Sequence, residues 1–216
     1  YVNVIGGLQL NEPAADLALV LAVASSYRDK PMDSEVTAIG EVGLTGEVRS
    51  VLALQQRLGE AARIGFKKCL IPRHGTGNVQ IPDGLEVVGA RCFAKSGVER
   101  LTVPASVREF KGEAFFGCSG LQRLEFREGS QLEVVGKECF KDSGLEEFVA
   151  PRSLRTIGPM AFDGCRKLRR VELNQGLETL GDSCFGNSGI RQVSIPSSVR
   201  TVESSAFDWC EGLCRV

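Results

Sequence analysis

The amino-acid sequence predicts an α/β segment followed by a repeat solenoid of about six coils. Residues 1–78 alternate short apolar strand patterns with helix patterns. From residue 79 to residue 216, branched aliphatic residues and one phenylalanine recur every 22–25 residues, a period typical of stacked structural repeats. The composition, 43% hydrophobic and 25% charged, is that of an ordered globular chain and excludes global disorder.

The first segment, residues 1–78, reads as two helices among short strands. Its strand patterns cover residues 2–5, 37–42, 47–51 and 68–71. Its helix patterns cover residues 14–26 and 54–64. Gly65 follows the second helix and supplies a C-cap. Gly43 and Gly46 separate two strands rather than precede a helix, so they predict a hairpin and not a phosphate-binding loop.

The second segment, residues 79–216, repeats one apolar pattern six times. Each unit carries a branched aliphatic residue, a second apolar residue three positions later and a phenylalanine five positions after that. The phenylalanines are Phe93, Phe115, Phe140, Phe162, Phe185 and Phe207. One unit cannot bury its own apolar face, so each phenylalanine is expected to pack against those of the neighbouring coils. A short strand follows in each unit, as at residues 101–103 and 193–195.

Most of the eight cysteines follow the same repeat. One kind of coil carries Cys-Phe followed by Ser-Gly, and the other carries Ala-Phe-x-x-Cys. The cysteines at these positions are Cys92, Cys139 and Cys184 in the first kind and Cys118, Cys165 and Cys210 in the second. No Cys-x-x-Cys pair occurs in the sequence, so no metal site is predicted. Buried, reduced thiols are favoured over disulfides.

The charge balance does not indicate a nucleic-acid-binding body, since 26 basic residues stand against 27 acidic ones for a net charge of −1. The densest basic run, residues 166–170, is interpreted as a solvated edge of the solenoid rather than a patch for an acidic partner. The single histidine, His74, is expected on the surface because no nucleophile motif accompanies it. Asp16 and Glu41 could pair as carboxylates, but structural or subunit contacts are favoured for them.

The ends of the sequence carry no recognisable targeting signal. Residue 1 is a tyrosine rather than a methionine, which suggests a fragment or a processed piece. No basic segment followed by an apolar stretch predicts a signal peptide, and no apolar run approaches the ~18–20 residues of a membrane span. We therefore expect an intracellular protein, cytoplasmic or organellar, without a membrane partner.

The repeat resembles the BspA-type leucine-rich repeat family. The stretch at residues 161–165 reads Ala-Phe-Asp-Gly-Cys, and Leu168, Val171 and Leu173 continue the family pattern. The resemblance covers residues 79–216 and extends over six units. It implies a protein–protein contact, on the exposed strand face of the solenoid, rather than chemistry.

The first segment resembles the Lon-protease-like C-terminal domain of the RadA family of bacterial DNA-repair proteins. The matching stretches are residues 3–7, 11–18, 40–49 and 56–66. They cover the later part of that domain only, so residues 1–78 are interpreted as a truncated Lon-like domain. The resemblance implies a role in DNA recombination and repair, with DNA contact and homo-oligomer assembly through the Lon-like part. No Gly-x-x-x-x-Gly-Lys-Ser/Thr loop is present, so ATP hydrolysis is not predicted.

Lon proteases use a serine activated by a lysine, and neither is found at the matching positions of this chain. Ala14 stands at the serine position and Gln55 at the lysine position. A methyl group cannot attack a carbonyl, and an amide cannot accept the proton. The chain is therefore predicted not to be an enzyme, with no catalytic, cofactor-binding or metal-binding residues and no cofactor.

Three alternatives remain open from the sequence. The Lon-like part either keeps a DNA-repair role or merely caps a pure protein-interaction solenoid, and residual peptidase activity is the least favoured interpretation. Residues 81–89 fit both the last strand of the Lon-like domain and the first coil of the solenoid. The two modules were therefore either spliced at a shared strand or fused by design.

Overall fold

The structure is a computed structural model that describes residues 12–66, 68–73, 75 and 77–214. It divides into two compact units, Tyr1–Thr76 and Gly77–Val216. The sequence places its domain boundary between residues 78 and 79, and this assignment of domains stays a prediction. The predicted strand at residues 2–5 and His74 lie outside the described residues.

In the described part of the first unit, a 3-10 turn precedes the first helix. The elements described there are the 3-10 turn Pro13–Ala15, α1 (Asp16–Tyr27), β1 (Val36–Ala38), β2 (Glu41–Val42), β3 (Val48–Arg49), α2 (Leu54–Ile64) and β4 (Lys68–Leu70). Pro13 starts the turn, and the Glu12 carboxylate accepts a hydrogen bond from the Ala14 N–H at 3.1 Å. The helix predicted from residue 14 therefore starts at Asp16. Both predicted bounds of α2 are confirmed, and Gly65 ends it with a φ of 106°.

The strand predicted over residues 37–42 is broken in the structure. β1 pairs in parallel with β4, whereas β2 pairs antiparallel with β3 in the predicted hairpin. Between them the Gly40 N–H donates to the Ala14 carbonyl at 3.0 Å, so this peptide turns away from the sheet. A Cβ at Gly40 would lie 2.9 Å from Val48 Cγ1, so the close approach at this break favours glycine.

The second unit is a solenoid in which one strand of each coil joins a six-stranded parallel sheet. The strands of that sheet are β6 (Val87–Val88), β8 (Glu109–Phe110), β10 (Val134–Val135), β12 (Thr156–Ile157), β14 (Thr179–Leu180) and β15 (Thr201–Val202). The junction segment at residues 81–89 thus supplies the first strand of this sheet. The predicted solenoid of about six coils is confirmed.

A second wall of strands runs beside the core. Its strands are β5 (Asn78–Gln80), β7 (Arg100–Val103), β9 (Arg123–Phe126), β11 (Glu147–Val149) and β13 (Arg170–Glu172). They form two separate parallel sheets, β5-β7-β9 and β11-β13. The strand predicted at residues 193–195 is reduced to a single bridge at Gln192.

The six repeat phenylalanines form a continuous column in the core, as expected. Successive ring centroids lie 5.0–5.5 Å apart, and successive ring planes are within 13° of parallel. Phe110 adds edge-on contacts to Phe115 and Phe140 at 5.3 and 5.9 Å. Stacked aromatic rings at these distances stabilise a core beyond their buried area. This phenylalanine column therefore links all six coils.

The cysteines of one coil kind bond to the preceding coil. Cys165 Sγ donates to the Phe140 carbonyl at 3.0 Å and lies 3.3 Å from Ser143 Oγ. The same pair of contacts joins Cys118 to Phe93 and Ser96, and Cys210 to Phe185 and Ser188. Burial raises the pKa of the Cys165 thiol to about 12. Their reduced state stays a prediction, which thiol titration under denaturing, non-reducing conditions tests.

Every coil contains two residues with positive φ, four positions apart. They are Arg91 and Lys95, Glu113 and Gly117, Glu138 and Asp142, Met160 and Gly164, Ser183 and Asn187, and Ser205 and Trp209. This left-handed conformation costs a non-glycine residue roughly 1–2 kcal/mol. Gly117 and Gly164 adopt it without that cost, whereas Trp209 stands at the same repeat position with a φ of 59°.

Candidate functional site

The two positions that correspond to the Lon dyad lie in different environments. Ala14 is 5% exposed and packs in a small apolar cluster with Ile39 and Leu58. Gln55 lies in the first turn of α2 and is exposed. A cleft of about 440 Å³ lies between β1 and α2, and neither Ala14 nor Gln55 lines it. The described residues therefore provide no nucleophile at the serine position.

The polar groups around this unit hold structure together. The Asp16 carboxylate accepts a hydrogen bond from the Val42 N–H at 3.3 Å. Glu41 forms an ion pair with Arg49 at 3.5 Å across the hairpin. The Arg57 guanidinium, 2.9 Å from Glu12, lowers the pKa of that carboxyl from its usual value. Among the described residues there is no cluster of three or more His, Cys, Asp or Glu side chains that could hold a metal ion.

The outer side of the six-stranded sheet forms a regular surface on the second unit. The second residue of β6, β8, β10, β12 and β14 is buried, whereas the first residue is at least partly exposed. These outward residues are Val87, Glu109, Val134, Thr156, Thr179 and Thr201. We call this stripe of mostly β-branched side chains the sheet face.

Charged residues of alternating sign flank the sheet face. They are Glu86, Arg108, Glu133, Arg155, Glu178 and Arg200, one from each coil, and all are exposed. We call this column the charge ladder. Main-chain hydrogen bonds of 2.7–2.9 Å join each rung to the next. The Arg108 and Glu133 side chains also form an ion pair at 2.9 Å.

The charge ladder was not predicted, although its signal is present in the sequence. Each rung follows the first aliphatic residue of its repeat unit by one position, as Glu86 follows Leu85 and Arg108 follows Val107. Aligning the units and noting the charge at that position would have found it. The sheet face and charge ladder together place apolar and charged side chains at regular positions on one surface. Surfaces of mixed apolar and charged composition are typical of contacts between folded proteins.

Two of the four basic residues in the run at residues 166–170 form contacts within the solenoid. Arg169 donates to the Gly189 carbonyl at 2.9 Å. Arg170 forms an ion pair with Glu147 at 2.7 Å and contacts Glu172. These contacts leave less free positive charge than the sequence alone suggests. In the chain as far as it is described, no helix is long and apolar enough to cross a membrane.

Each coil contributes one short strand to a parallel sheet and one phenylalanine to a stacked column. This arrangement defines a leucine-rich-repeat protein. The chain belongs to the BspA type leucine-rich repeat family, whose model matches six copies over residues 66–158 and 133–216. Residues 5–88 also match the C-terminal proteolytic domain of Lon protease. Both predicted resemblances are confirmed, and the two matches overlap at residues 66–88.

The curated relatives resemble the first part of the chain. The DNA repair protein RadA of Listeria monocytogenes is 49% identical over 96 residues, which are 44% of this chain and 21% of that protein. The protein of the same name from Bacillus subtilis is 48% identical over 96 residues, with the same coverage. The chain thus spans about a fifth of the length of these relatives.

Solved structures resemble the solenoid fold. The pneumococcal vaccine antigen PcpA superposes with a TM-score of 0.60 at 21% identity, over 83% of this chain and 44% of that chain. A leucine-rich repeat protein of T. pallidum superposes with a TM-score of 0.50 at 28% identity, over 64% of this chain and 79% of that chain. The likeness to PcpA is one of fold alone.

Proposed function

We propose that this chain is a non-enzymatic scaffold whose solenoid binds another protein through the sheet face. The observation that carries the proposal is the outward stripe of Val87, Val134 and Thr156 beside the charge ladder. The strands beneath this stripe are fixed by hydrogen bonds and by the phenylalanine column. A rigid surface loses little conformational entropy when it binds a partner, which favours affinity.

The absence of peptidase activity is part of the same proposal. Ala14 is buried among apolar side chains and carries no nucleophile, while Gln55 carries no base. A fluorogenic peptide assay on the full chain should therefore give the rate of buffer alone. Cleavage that persists through purification and is abolished by Ala14→Trp would contradict this part of the proposal.

The protein-binding role is tested by substituting residues on the sheet face without changing the core. The double variant Thr156→Arg/Thr179→Arg adds two bulky charges to the sheet face. At least one partner that co-purifies with the wild-type chain from its native cells should be lost with this variant. Arg123→Glu on the second wall is the control and should retain that partner. Retention of every partner by the double variant, or recovery of no protein by the wild type, would overturn the proposal.

We also propose that the Lon-like part serves in DNA repair, where it would contact DNA and assemble with further copies of itself. The supporting observation is the 49% identity to the Listeria protein named as a DNA repair protein. Fluorescence anisotropy with a labelled single-stranded DNA should then show salt-dependent binding by the full chain. Charge reversal at the exposed Arg49 and Arg63 should weaken it, whereas reversal at Arg100 and Arg123 should not. Equal effects of both pairs, or no binding at low salt, would reject the role.

The same proposal includes two further points. The chain divides into its two domains between residues 78 and 79, and the protein is located inside the cell. The unpaired cysteines support that location, since free thiols are typical of reducing compartments. Fractionation of native cells with an antibody to the full chain tests the location. Recovery from the culture medium would contradict it.

A further inference from the structure

The second wall of the solenoid has a break between its third and fourth strands. β9 pairs with β7, and β11 pairs with β13, but no ladder joins β9 to β11 in the described part of the chain. The Glu146 N–H donates to the Gln122 carbonyl at 3.3 Å where the two strands begin. Beyond that bond the strands separate.

The break has a cause in the sequence. Leu124 and Leu132 are eight residues apart, whereas the corresponding residues of neighbouring coils are six apart, as in Leu101 and Val107. The two additional residues lengthen the loop that follows β9. Position 129 in this loop is a glycine with a φ of 75°.

Contacts of this longer loop run back toward the earlier coils. The Arg127 N–H donates to the Val103 carbonyl at 3.0 Å, and the Gln131 N–H donates to the Ala105 carbonyl at 3.0 Å. The Arg127 guanidinium also forms an ion pair with Asp83 at 2.7 Å, two coils away. The loop is therefore tied to the coils before it, and a cleft remains between β9 and β11.

The cleft measures about 350 Å³ and exposes part of the core. Its floor includes Leu124 and Phe126, which are half-buried and pack against the main apolar cluster. The Phe126 ring lies 6.4 Å from each of the Phe110 and Phe148 rings. Val149 forms one side and is 40% exposed. Concave apolar sites of roughly 300–1,000 Å³ are typical of ligand pockets.

The main chain of β9 also faces the cleft. In a parallel sheet, alternate residues direct their peptide groups toward each of the two neighbouring strands. Arg123 and Arg127 donate their N–H groups to the β7 side, at 3.3 and 3.0 Å. The peptide groups of Leu124 and Phe126 therefore point toward β11, where an added extended segment can bond to them.

The cleft is short because it is closed at its far end. The Ser153 hydroxyl shares its one proton between the Ser130 carbonyl at 2.9 Å and the Leu132 carbonyl at 2.8 Å. With the Glu146–Gln122 bond at the other end, the open length is that of the four-residue strand β9. At ~3.3 Å per residue this is roughly 13 Å, enough for a few extended residues and one large side chain.

The charged residues that line the cleft indicate the charge of the segment that would bind there. Arg127 and Arg152 are the two charged residues that line it, and no acidic residue lines it. Arg127 already forms an ion pair with Asp83, whereas Arg152 is exposed and forms no ion pair among the described residues. A carboxylate beside the bound apolar group would pair with Arg152.

We propose that this cleft binds a short extended segment of a partner protein in which a large apolar side chain stands next to acidic residues. The apolar side chain covers Leu124 and Phe126, the carboxylate pairs with Arg152, and the segment's main chain bonds to the β9 edge. The cleft lies on the second wall rather than on the sheet face, so this inference does not depend on the proposed function.

The test uses the full chain and two fluorescein-labelled peptides, Gly-Asp-Leu-Phe-Asp-Gly and its charge-reversed form Gly-Lys-Leu-Phe-Lys-Gly. Fluorescence anisotropy should give a Kd about tenfold lower for the acidic peptide. Val149→Glu and Arg152→Glu should each raise that Kd by about tenfold or more. Val149→Ile is the matched variant and should retain binding. Far-UV circular dichroism establishes that each variant is folded.

Two controls separate this cleft from the sheet face. Val202→Glu places the same charge on the exposed strand β15 and should leave the Kd unchanged. The Thr156→Arg/Thr179→Arg variant should also bind the acidic peptide normally. Absence of binding at millimolar peptide, equal binding of both peptides, or insensitivity to Val149→Glu and Arg152→Glu would overturn the inference. Loss with the Thr156→Arg/Thr179→Arg variant alone would move the peptide site to the sheet face, which overturns the cleft proposal but supports the proposed function.

Discussion

Replacing the central phenylalanine of the column should destabilise the solenoid far more than replacing the last one. Phe140 is fully buried, and its ring stacks on Phe115 at 5.0 Å and on Phe162 at 5.2 Å. Phe207 is partly exposed and has one stacked neighbour, Phe185 at 5.5 Å. A Phe→Ala change in a packed core costs roughly 3–5 kcal/mol. We expect about 4 kcal/mol for Phe140→Ala and about 1–2 kcal/mol for Phe207→Ala.

Urea unfolding followed by far-UV circular dichroism measures both values. Phe140→Leu serves as the matched variant, because it retains most of the apolar volume and loses the ring stacking. It should cost about 1–1.5 kcal/mol. A central loss in a stacked array also separates the coils on either side, so the transition of Phe140→Ala should broaden. The reasoning is refuted if Phe140→Ala costs no more than Phe207→Ala.

Three further changes test other parts of the second unit. Gly144→Ala should lower the free energy of unfolding, measured in urea, by ~2 kcal/mol or more, because its Cβ would lie 2.2 Å from the Ser119 carbonyl oxygen. A change below about 0.5 kcal/mol would contradict this close approach. Trp209→Gly should stabilise the chain by about 1 kcal/mol, since it removes a side chain from a left-handed position, and a lower urea midpoint would argue against that strain. Burial raises the pKa of Cys165 and Cys184 from 9.0 to about 12. The folded state therefore keeps protons that the unfolded state releases, so the contribution of these two thiols to the free energy of unfolding should be constant below pH 9 and fall between pH 9 and pH 12. Cys165→Ala should make that fall shallower, and an unchanged pH slope would count against a buried, protonated thiol.

The parts of the fold that sequence reasoning predicted well are those fixed by a strict period. The phenylalanine positions recur in register, and each ring of the column stacks on its neighbours at one repeat position. Helix α2 was also predicted to the residue, because its apolar spacing and Gly65 mark both ends. These features are local or repeated, so the sequence displays them directly.

Features that depend on neighbouring strands were harder to predict. The run at residues 37–42 has the composition of one strand, but the Gly40 N–H bonds to Ala14 and divides it. Residues 193–195 have a strand pattern as well, but the structure forms a single bridge there, at Gln192. The cleft follows from two additional residues after β9, which a search for the repeat treats as tolerated variation in spacing.

The alternation of two coil kinds has a consequence for how such a chain can grow. Each Ser of one kind meets a Cys of the next, so the self-consistent building block is a pair of coils. Duplication or loss of a complete pair preserves every thiol–serine match, whereas gain or loss of one coil places two coils of the same kind together. The lineage of this solenoid should therefore show changes in length by even numbers of coils.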